Sequence, residues 1–430
     1  MTRSLAYGVT TLGAAILLGC GDSAPTGPDD RITVQGIVAD EYGTPLPSRE
    51  VLIVGHAVVT TDADGHFTVT KVRRPYDLLV MIPSSFSGDR EVLVYAGLSR
   101  ADPLILTPPM PFSEAHHGAY FWGSLYGGAA WPLPPHLKTT VFFESQDAQW
   151  GVSAGWDHYT LQPSWLGPQS TTGVLHALQW EFDSSSGLPG AYTGYGSVPL
   201  QLSDGGYFEG PSVTMGAPVE SGAIAGVVNL PSGFAVTRKI VRLGFLAPPG
   251  PAQWEIITDS ANAASFSYVT PNLAGATFSI TARAEAGDSA LSEVVKTGIG
   301  ANAADVALSL PPPPTLVTPT VGSHDVTLST KFSWTRVNGA VYLVAIRYAD
   351  QATIIPSPLN YYVLTTDTTV TLADVIPGSL YPYPNLSYVW EVRSWAPFGN
   401  IDDVAVPTWF VPPGDHSSTV SATKPFRWAP

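Results

Sequence analysis

Hydrophobic and polar residues alternate with a period of two along most of this chain, the spacing of half-buried strands rather than of helices. Residues 32–38 (ITVQGIV) alternate, 40–47 (DEYGTPLP) carry turn chemistry, and 51–54 form a second strand. Residues 58–61 and 67–69 flank Asp62-Ala63-Asp64-Gly65, whose Asp-Gly pair predicts a hairpin. Short strands at 78–82, 91–95 and 104–107 complete a first small sandwich. Further along, Val174, His176, Leu178, Trp180 and Phe182 alternate with Leu175, Ala177, Gln179 and Glu181, which puts Trp180 in a core. After residue 314, the runs 331–334, 342–346, 368–372 and 388–393 read as four more strands.

Composition sharpens this into a class. Among 430 residues, 41 Gly and 40 Pro interrupt the chain too often for long helices, and the stretches between them favour strands. The expected fold is all-β, built as tandem β-sandwich domains. An apolar share of 44% is enough to bury cores, and at about 100 residues per sandwich three or four domains fit. A weak repeat supports the division. Phe121-Trp122-Gly123-Ser124-Leu125 and Ile224-Ala225-Gly226-Val227-Val228 echo the strand around Gly36, and the three glycines lie 87 and 103 residues apart. The expected units are 32–110, 111–220 and 221–310. A four-proline run at 311–314 then reads as a stiff, extended linker to a fourth domain at 315–430.

Lys and Arg total 20 against 35 Asp and Glu, a net charge of −15 with no basic block, which argues against nucleic acid as a partner. Cys20 is the only cysteine, so no intramolecular disulfide can form. Arg3 precedes an apolar stretch at 5–18 that closes on Leu17-Leu18-Gly19-Cys20. The stretch is too short to span about 30 Å of hydrocarbon but suits a signal peptide, so residues 1–19 are expected to be removed. The closing tetrapeptide resembles the bacterial lipobox. That resemblance implies lipidation of the Cys20 thiol, cleavage before it and acylation of the new amino terminus, with the membrane as the partner of the acyl chains. An ordinary secretory signal with an incidental cysteine is the alternative. Residues 20–31 then form the lipidated cysteine and a flexible tether reaching about 20 Å. Gly21 in place of an acidic residue resembles the sorting signal for the outer membrane of a two-membrane cell, with the leaflet open.

Two segments resemble known families. Val34-Gln35-Gly36-Ile37-Val38, then Gly43-Thr44-Pro45-Leu46, then Thr61-Asp62-Ala63-Asp64-Gly65-His66-Phe67 make residues 32–108 similar to the carboxypeptidase regulatory-like domain. The resemblance implies a transthyretin-type sandwich, grouped with carbohydrate-binding-like folds and usually accessory to another activity. Residues 315–430 resemble a fibronectin type III domain, with Trp334 as the core tryptophan of its second strand and Leu386-Ser387-Tyr388 at the tyrosine corner. The stretches 350–364 and 377–384 are longer than that family's minimum.

The chain has no His-Glu-x-x-His helix, nucleophile elbow or Walker A loop, and Gly298-Ile299-Gly300 is only half a dinucleotide fingerprint. No cofactor is expected. Asp62 and Asp64 would suit calcium, but Lys71 stands where the completing glutamate belongs, so the turn reading is preferred. His116 and His117 point to opposite faces of an extended strand, and no metal site is expected. The standing feature is aromatic. Six of 12 tryptophans fall between 122 and 180. If Phe121 and Leu125 are inward, then Tyr120, Trp122, Ser124 and Tyr126 share the other face, either as a sugar-stacking row or packed against a neighbouring domain. Trp131, Trp150, Trp156 and Trp165 lie near Gly and Pro in expected loops, where binding roles concentrate. Candidate ligand-binding residues are therefore Tyr120, Trp122, Tyr126, Trp131, Trp150, Trp156 and Trp165. The leading reading is a non-catalytic envelope lipoprotein that binds a saccharide. An assembly scaffold for envelope proteins is the alternative, and a hydrolase with a discontinuous site is the third.

Overall fold

A computed structural model describes residues 31–40, 44–83, 90–107, 117–129, 131–146, 149–165, 168–246, 253–349, 359–376, 380, 382, 384–406 and 414–429. The expected leader, Cys20 and the tether up to residue 30 lie outside them, as do His116 and most of 350–364. Strands make up most of the described chain, and its helices are single turns such as Leu372–Val375 and Ile401–Val404.

The first unit comprises β1 (Arg31–Asp40), β2 (Glu50–Ile53), β3 (Val59–Thr60), β4 (His66–Arg73), β5 (Tyr76–Pro83), β6 (Arg90–Leu98) and β7 (Leu104–Thr107). They form facing sheets in the orders β4-β1-β7 and β3-β2-β5-β6. The Asp62–Gly65 turn corrects an expectation. β3 pairs with β2 and β4 with β1, so this turn carries the chain between sheets instead of closing a hairpin. Asp62 Oδ1 accepts the amides of Asp64 and His66 at 3.0 and 2.9 Å, which fixes the turn locally whichever sheet follows. The apolar face of β4 decides the sheet, because Phe67 and Val69 close the core from the layer opposite Val51 and Ile53.

The same plan recurs twice, with seven strands in the third unit and nine in the second, where β11 with β12 and β15 with β16 each stand in the place of one strand. The second unit holds β8 (His117–Gly127), β9 (Leu137–Ser145), β10 (Gln149–Ser153), β11 (His158–Leu161), β12 (Ser164–Trp165), β13 (Ser170–Phe182), β14 (Pro189–Ser203), β15 (Gly206–Glu209) and β16 (Val213–Met215). Its first strand pairs antiparallel with β11 and β12 and parallel with β15 and β16, opposite a β10-β9-β13-β14 sheet. The third unit holds β17 (Ser221–Asn229), β18 (Ala235–Gly244), β19 (Trp254–Asp259), β20 (Ser265–Pro271), β21 (Thr277–Glu285), β22 (Leu291–Ile299) and β23 (Val306–Ser309), ordered β20-β17-β23 over β19-β18-β21-β22.

One close approach explains the repeated glycine. Gly36, Gly123 and Gly226 sit directly across from Phe67, Tyr159 and Phe266. A Cβ at any of the three would lie closer than 3.0 Å both to that ring and to a carbonyl oxygen, that of Pro103, Pro211 or Val306. Only glycine lets an aromatic ring lie over the opening strand.

The fourth unit comprises β24 (Leu316–Thr318), β25 (Ser323–Val326), β26 (Lys331–Trp334), β27 (Val341–Tyr348), β28 (Leu359–Thr365), β29 (Thr369–Thr371), β30 (Ser387–Ala396), β31 (His416–Val420) and β32 (Lys424–Trp428). A β24-β26-β29 sheet faces one containing β28-β27-β30 with β31 and β32. Trp334 is buried edge-on to Tyr342, and Tyr388 is buried beside Tyr348, Phe426 and Trp428.

This fourth unit joins the others. β28 runs parallel to β6, from Leu359 beside Arg90 to Leu364 beside Tyr95. On its other side β31 pairs antiparallel with β22, so one continuous sheet runs through the third, fourth and first units. Alternate residues of the shared strands serve cores on opposite faces. Leu78, Val80, Leu93 and Tyr95 join Val341, Leu343, Leu364 and Trp395 in the first unit's core. Leu79, Val92 and Val94 join Val344, Ile346, Tyr361 and Val363 in the fourth's. At about 1.5–3 kcal/mol per buried aliphatic side chain, each unit is stabilised substantially by the other. The third and fourth units meet through β22 and β31, and the proline run starts against the third unit, where Leu310 is buried and Ser292 donates to the Pro311 carbonyl at 2.7 Å.

The second unit docks on the third through the outer face of β9, β13 and β14. Phe142, Leu178, Trp180 and Tyr192 enter the third unit's core, so Trp180 is buried between units. Glu144 accepts the Phe245 amide at 3.0 Å and the Leu246 amide at 3.4 Å, and its burial pushes the carboxyl up. His176 stacks between Phe142 and Phe245 at 4.8 and 4.4 Å and meets the Tyr195 hydroxyl at 2.9 Å. Its Nε2 stops 3.7 Å from Glu144, beyond hydrogen-bond reach. Burial lowers this imidazole to about 4. Docking through this sheet leaves the opposite sheet of the second unit turned outward.

Candidate functional site

The outward sheet is built from β8 with β15 on one side and β11 on the other. Ala119, Phe121, Gly123 and Leu125 point into the core, which turns Tyr120, Trp122, Ser124 and Tyr126 outward. β15 runs parallel and in register, Tyr207 beside Tyr120, Phe208 beside Phe121 and Glu209 beside Trp122. Underneath, Phe121 stacks on Phe208 at 5.5 Å; above, Tyr120 stacks on Tyr207 at 5.2 Å, both pairs inclined by 13°. Trp122 meets Tyr207 at 5.1 Å and 58°. The turn before β15 is fixed by Asp204, which accepts the Gly118 amide at 3.0 Å and approaches His117 at 3.2 Å. That amide, then His117, holds the Asp204 carboxyl low. Tyr159 lies over Gly123 and donates to the Pro211 carbonyl at 2.5 Å, and its burial raises the phenol.

The result is an open aromatic face. Tyr120 is 36% exposed, Tyr126 56%, Trp156 59% and Tyr207 74%. These are all the exposed large aromatics among the described residues, and Trp122 is half-buried beside Tyr120 and Tyr207. Trp156 leads into β11 two residues before His158, and on β11 Thr160 faces Trp122 and His158 faces Ser124. Polar groups thus flank the rings on both sides: Glu209 and Thr160 beside Trp122, His158 beside Ser124.

The repeat supplies an internal comparison. Aligned on the shared glycine, Tyr120 and Trp122 correspond to Thr33 and Gln35 in the first unit and to Ala223 and Ala225 in the third. The sandwich forms with polar or small residues at these places, so folding does not require the aromatic rings. Their exposure has another cause.

The other candidates lie elsewhere. Trp165 is buried in the second unit's core, its indole donating to the Pro168 carbonyl at 2.8 Å and its ring 5.9 Å from His117, so it cannot present a face to a ligand. Neighbouring prolines made it read as a loop residue, whereas it extends the pairing along β8. Trp131 packs half-buried against the same core. Trp150 belongs to β10 in the facing sheet, and its side chain lies outside the described residues. Tyr207, Glu209, Thr160 and His158 were missed. Gly205-Gly206 before Tyr207 hid a strand too short to alternate visibly.

Ser124, His158 and Asp157 stand near one another, but Asp157 meets His158 at 3.4 Å with both about two-thirds exposed, on a surface without the shielded cleft that acyl-transfer chemistry needs. Among the described residues no group of three or more His, Cys, Asp or Glu is arranged to hold a metal.

No family model and no curated protein matches the chain. Solved structures give loose superpositions. An adhesin with which an Antarctic bacterium binds ice, stabilised by Ca2+, is 11% identical over 92% of this chain and 99% of its own, with a TM-score of 0.16. BcpA, the major pilin subunit of Bacillus cereus, is 8% identical over 65% and 99%, at 0.14. Three fibronectin domains of chicken CNTN1 are 15% identical over 61% and 86%, at 0.16. At such TM-scores the superpositions carry no functional argument.

Proposed function

We propose that this protein is a non-catalytic, saccharide-binding component of a bacterial cell envelope, held to the membrane through Cys20 and presenting the Tyr120–Trp122–Tyr207 face to its ligand. What carries the reading is the exposed aromatic cluster on one of three repeated sandwiches, at positions where the other two have Thr33, Gln35, Ala223 and Ala225. Flat rings match the apolar C–H faces of pyranose sugars, and the flanking Thr160, Glu209 and His158 offer hydrogen bonds to hydroxyls. We read the three repeated sandwiches as carboxypeptidase regulatory-like modules on their shared strand order, and the fourth as fibronectin type III-like.

The test is a glycan array with the chain from Gly21 onward, beside Trp122→Ala and Tyr207→Ser. Binding that is lost in both variants, with circular dichroism unchanged, supports the reading. Silence across a broad array refutes it and turns attention to the assembly role, with a pull-down of envelope proteins as the next step.

A further inference from the structure

We infer that the saccharide taken by this face carries amines: the ligand is a chain of amino sugars with free ammonium groups, rather than a neutral or acidic polysaccharide. The inference rests on the saccharide reading above and adds the charge of the ligand to it.

Lys138 is the only lysine or arginine between Arg100 and Arg238, whereas residues 117–219 hold seven acids, Glu144, Asp147, Asp157, Glu181, Asp183, Asp204 and Glu209. Lys138 itself belongs to β9 in the facing sheet, where its ammonium sits 4.2 Å above the Phe182 ring. Among the described residues, β8, β11 and β15, which build the aromatic face, therefore bring no lysine or arginine with which to pair a uronate, sulfate or phosphate. It does have a carboxylate in the right place. Glu209 stands directly beside Trp122 in the register of β15 on β8, and both face outward. An ammonium group above the Trp122 and Tyr207 rings gains cation–π attraction, and the neighbouring Glu209 supplies its counter-charge. Along β8 the outward residues from Tyr120 to Tyr126 extend about 20 Å, room for several linked sugars. Stacking is open to any pyranose; the charge pattern selects among them, favouring cationic chains and repelling anionic ones.

The experiment is titration by tryptophan fluorescence of the chain from Gly21 onward with three probes: β-linked glucosamine oligomers, the same oligomers fully N-acetylated, and an oligouronate of equal length. At low salt the glucosamine oligomer is expected to bind about fivefold tighter than its acetylated form. That gap should narrow as the Debye length falls from about 30 Å at 0.01 M to about 8 Å at 0.15 M salt. Glu209→Gln should weaken the glucosamine oligomer about threefold, the scale of an exposed ion pair, and leave the acetylated one unchanged. Equal affinity for the two, an equal loss with Glu209→Gln, or tighter binding of the oligouronate overturns the amine inference and leaves the saccharide reading standing. Glucosamine binding that survives in both Trp122→Ala and Tyr207→Ser reflects net charge alone and also overturns it. Absence of binding by all three probes, with silence on the broad array, removes the saccharide reading itself.

Discussion

Replacing Leu79 by Ala perturbs a residue of the first unit whose side chain lies in the fourth unit's core, 2% exposed among Val92, Val94, Val344 and Tyr361. Leucine-to-alanine truncation at such a site removes the transfer energy of the side chain and leaves a cavity, a loss of about 3 kcal/mol within the 2–5 observed for the class. If the shared sheet makes the two sandwiches one cooperative body, that loss must appear in both. Hydrogen exchange followed by mass spectrometry reads this directly, since about 3 kcal/mol is about a hundredfold in opening equilibrium. Amides of β27, more than 260 residues away in sequence, should exchange about a hundredfold faster, together with those of β5 and β6. Acceleration confined to residues 50–98, with β27 unchanged, would refute the reasoning and make the contact between β6 and β28 a surface apposition.

Three further outcomes are expected. Gly226→Ala, which in an unstrained strand is neutral or helpful, should here lower stability by about 2 kcal/mol in denaturant unfolding, because the new Cβ meets Phe266 and the Val306 carbonyl. His176 is held neutral by burial at about 4 against an ordinary 6.5, so its share of stability is complete above about pH 6.5 and falls as pH drops toward 4, by up to about 3 kcal/mol. Glu144, raised by burial, acts in the opposite sense, contributing at low pH and losing that share as pH rises; His176→Phe should therefore flatten or invert the rise of melting temperature between pH 4 and 6.5. The carbonyls of Tyr192 and Tyr195 accept from Val219 and Gly216, so by alternation Ser197, Pro199 and Gln201 turn their backbone polar groups to the open edge of β14. Pro199 leaves that edge one amide short, and Pro199→Thr should increase self-association in sedimentation velocity.

Much of this architecture was legible because alternation is local. Phe121 and Leu125 set the inward face of β8 without knowledge of the partner strands, and the repeated glycine marked the opening strand of the first three sandwiches. What escaped was pairing between distant segments. The runs Leu78-Leu79-Val80 and Val92-Leu93-Val94 are apolar at every position, the signature of burial on both faces, yet that pattern does not say what covers the second face. The same holds for Trp180, whose alternating neighbours are buried on both sides because β13 separates the second unit's core from the third. Asp-Gly at 64–65 specified a turn correctly and its partner strands wrongly, since an Asx turn is settled within five residues while the choice of sheet depends on Phe67 meeting Gly36. At the site, the row on β8 could be written down from spacing alone. Tyr207 joined it through a parallel pairing 87 residues distant, which no local pattern announces.

The bridging position of the fourth unit also has a mechanical meaning. Covalently the units follow in line, yet the fourth is zipped to the first through β28 and β6 and to the third through β31 and β22, while the third grips the second. The four sandwiches thus close a ring of which the peptide between β7 and β8 is the last link. Tension applied between the amino-terminal end and the Tyr207 face has two routes, that single peptide and the braced path through the third and fourth units. A load on the aromatic face is therefore shared by strand ladders far from it, and the carboxy-terminal sandwich works as a strut.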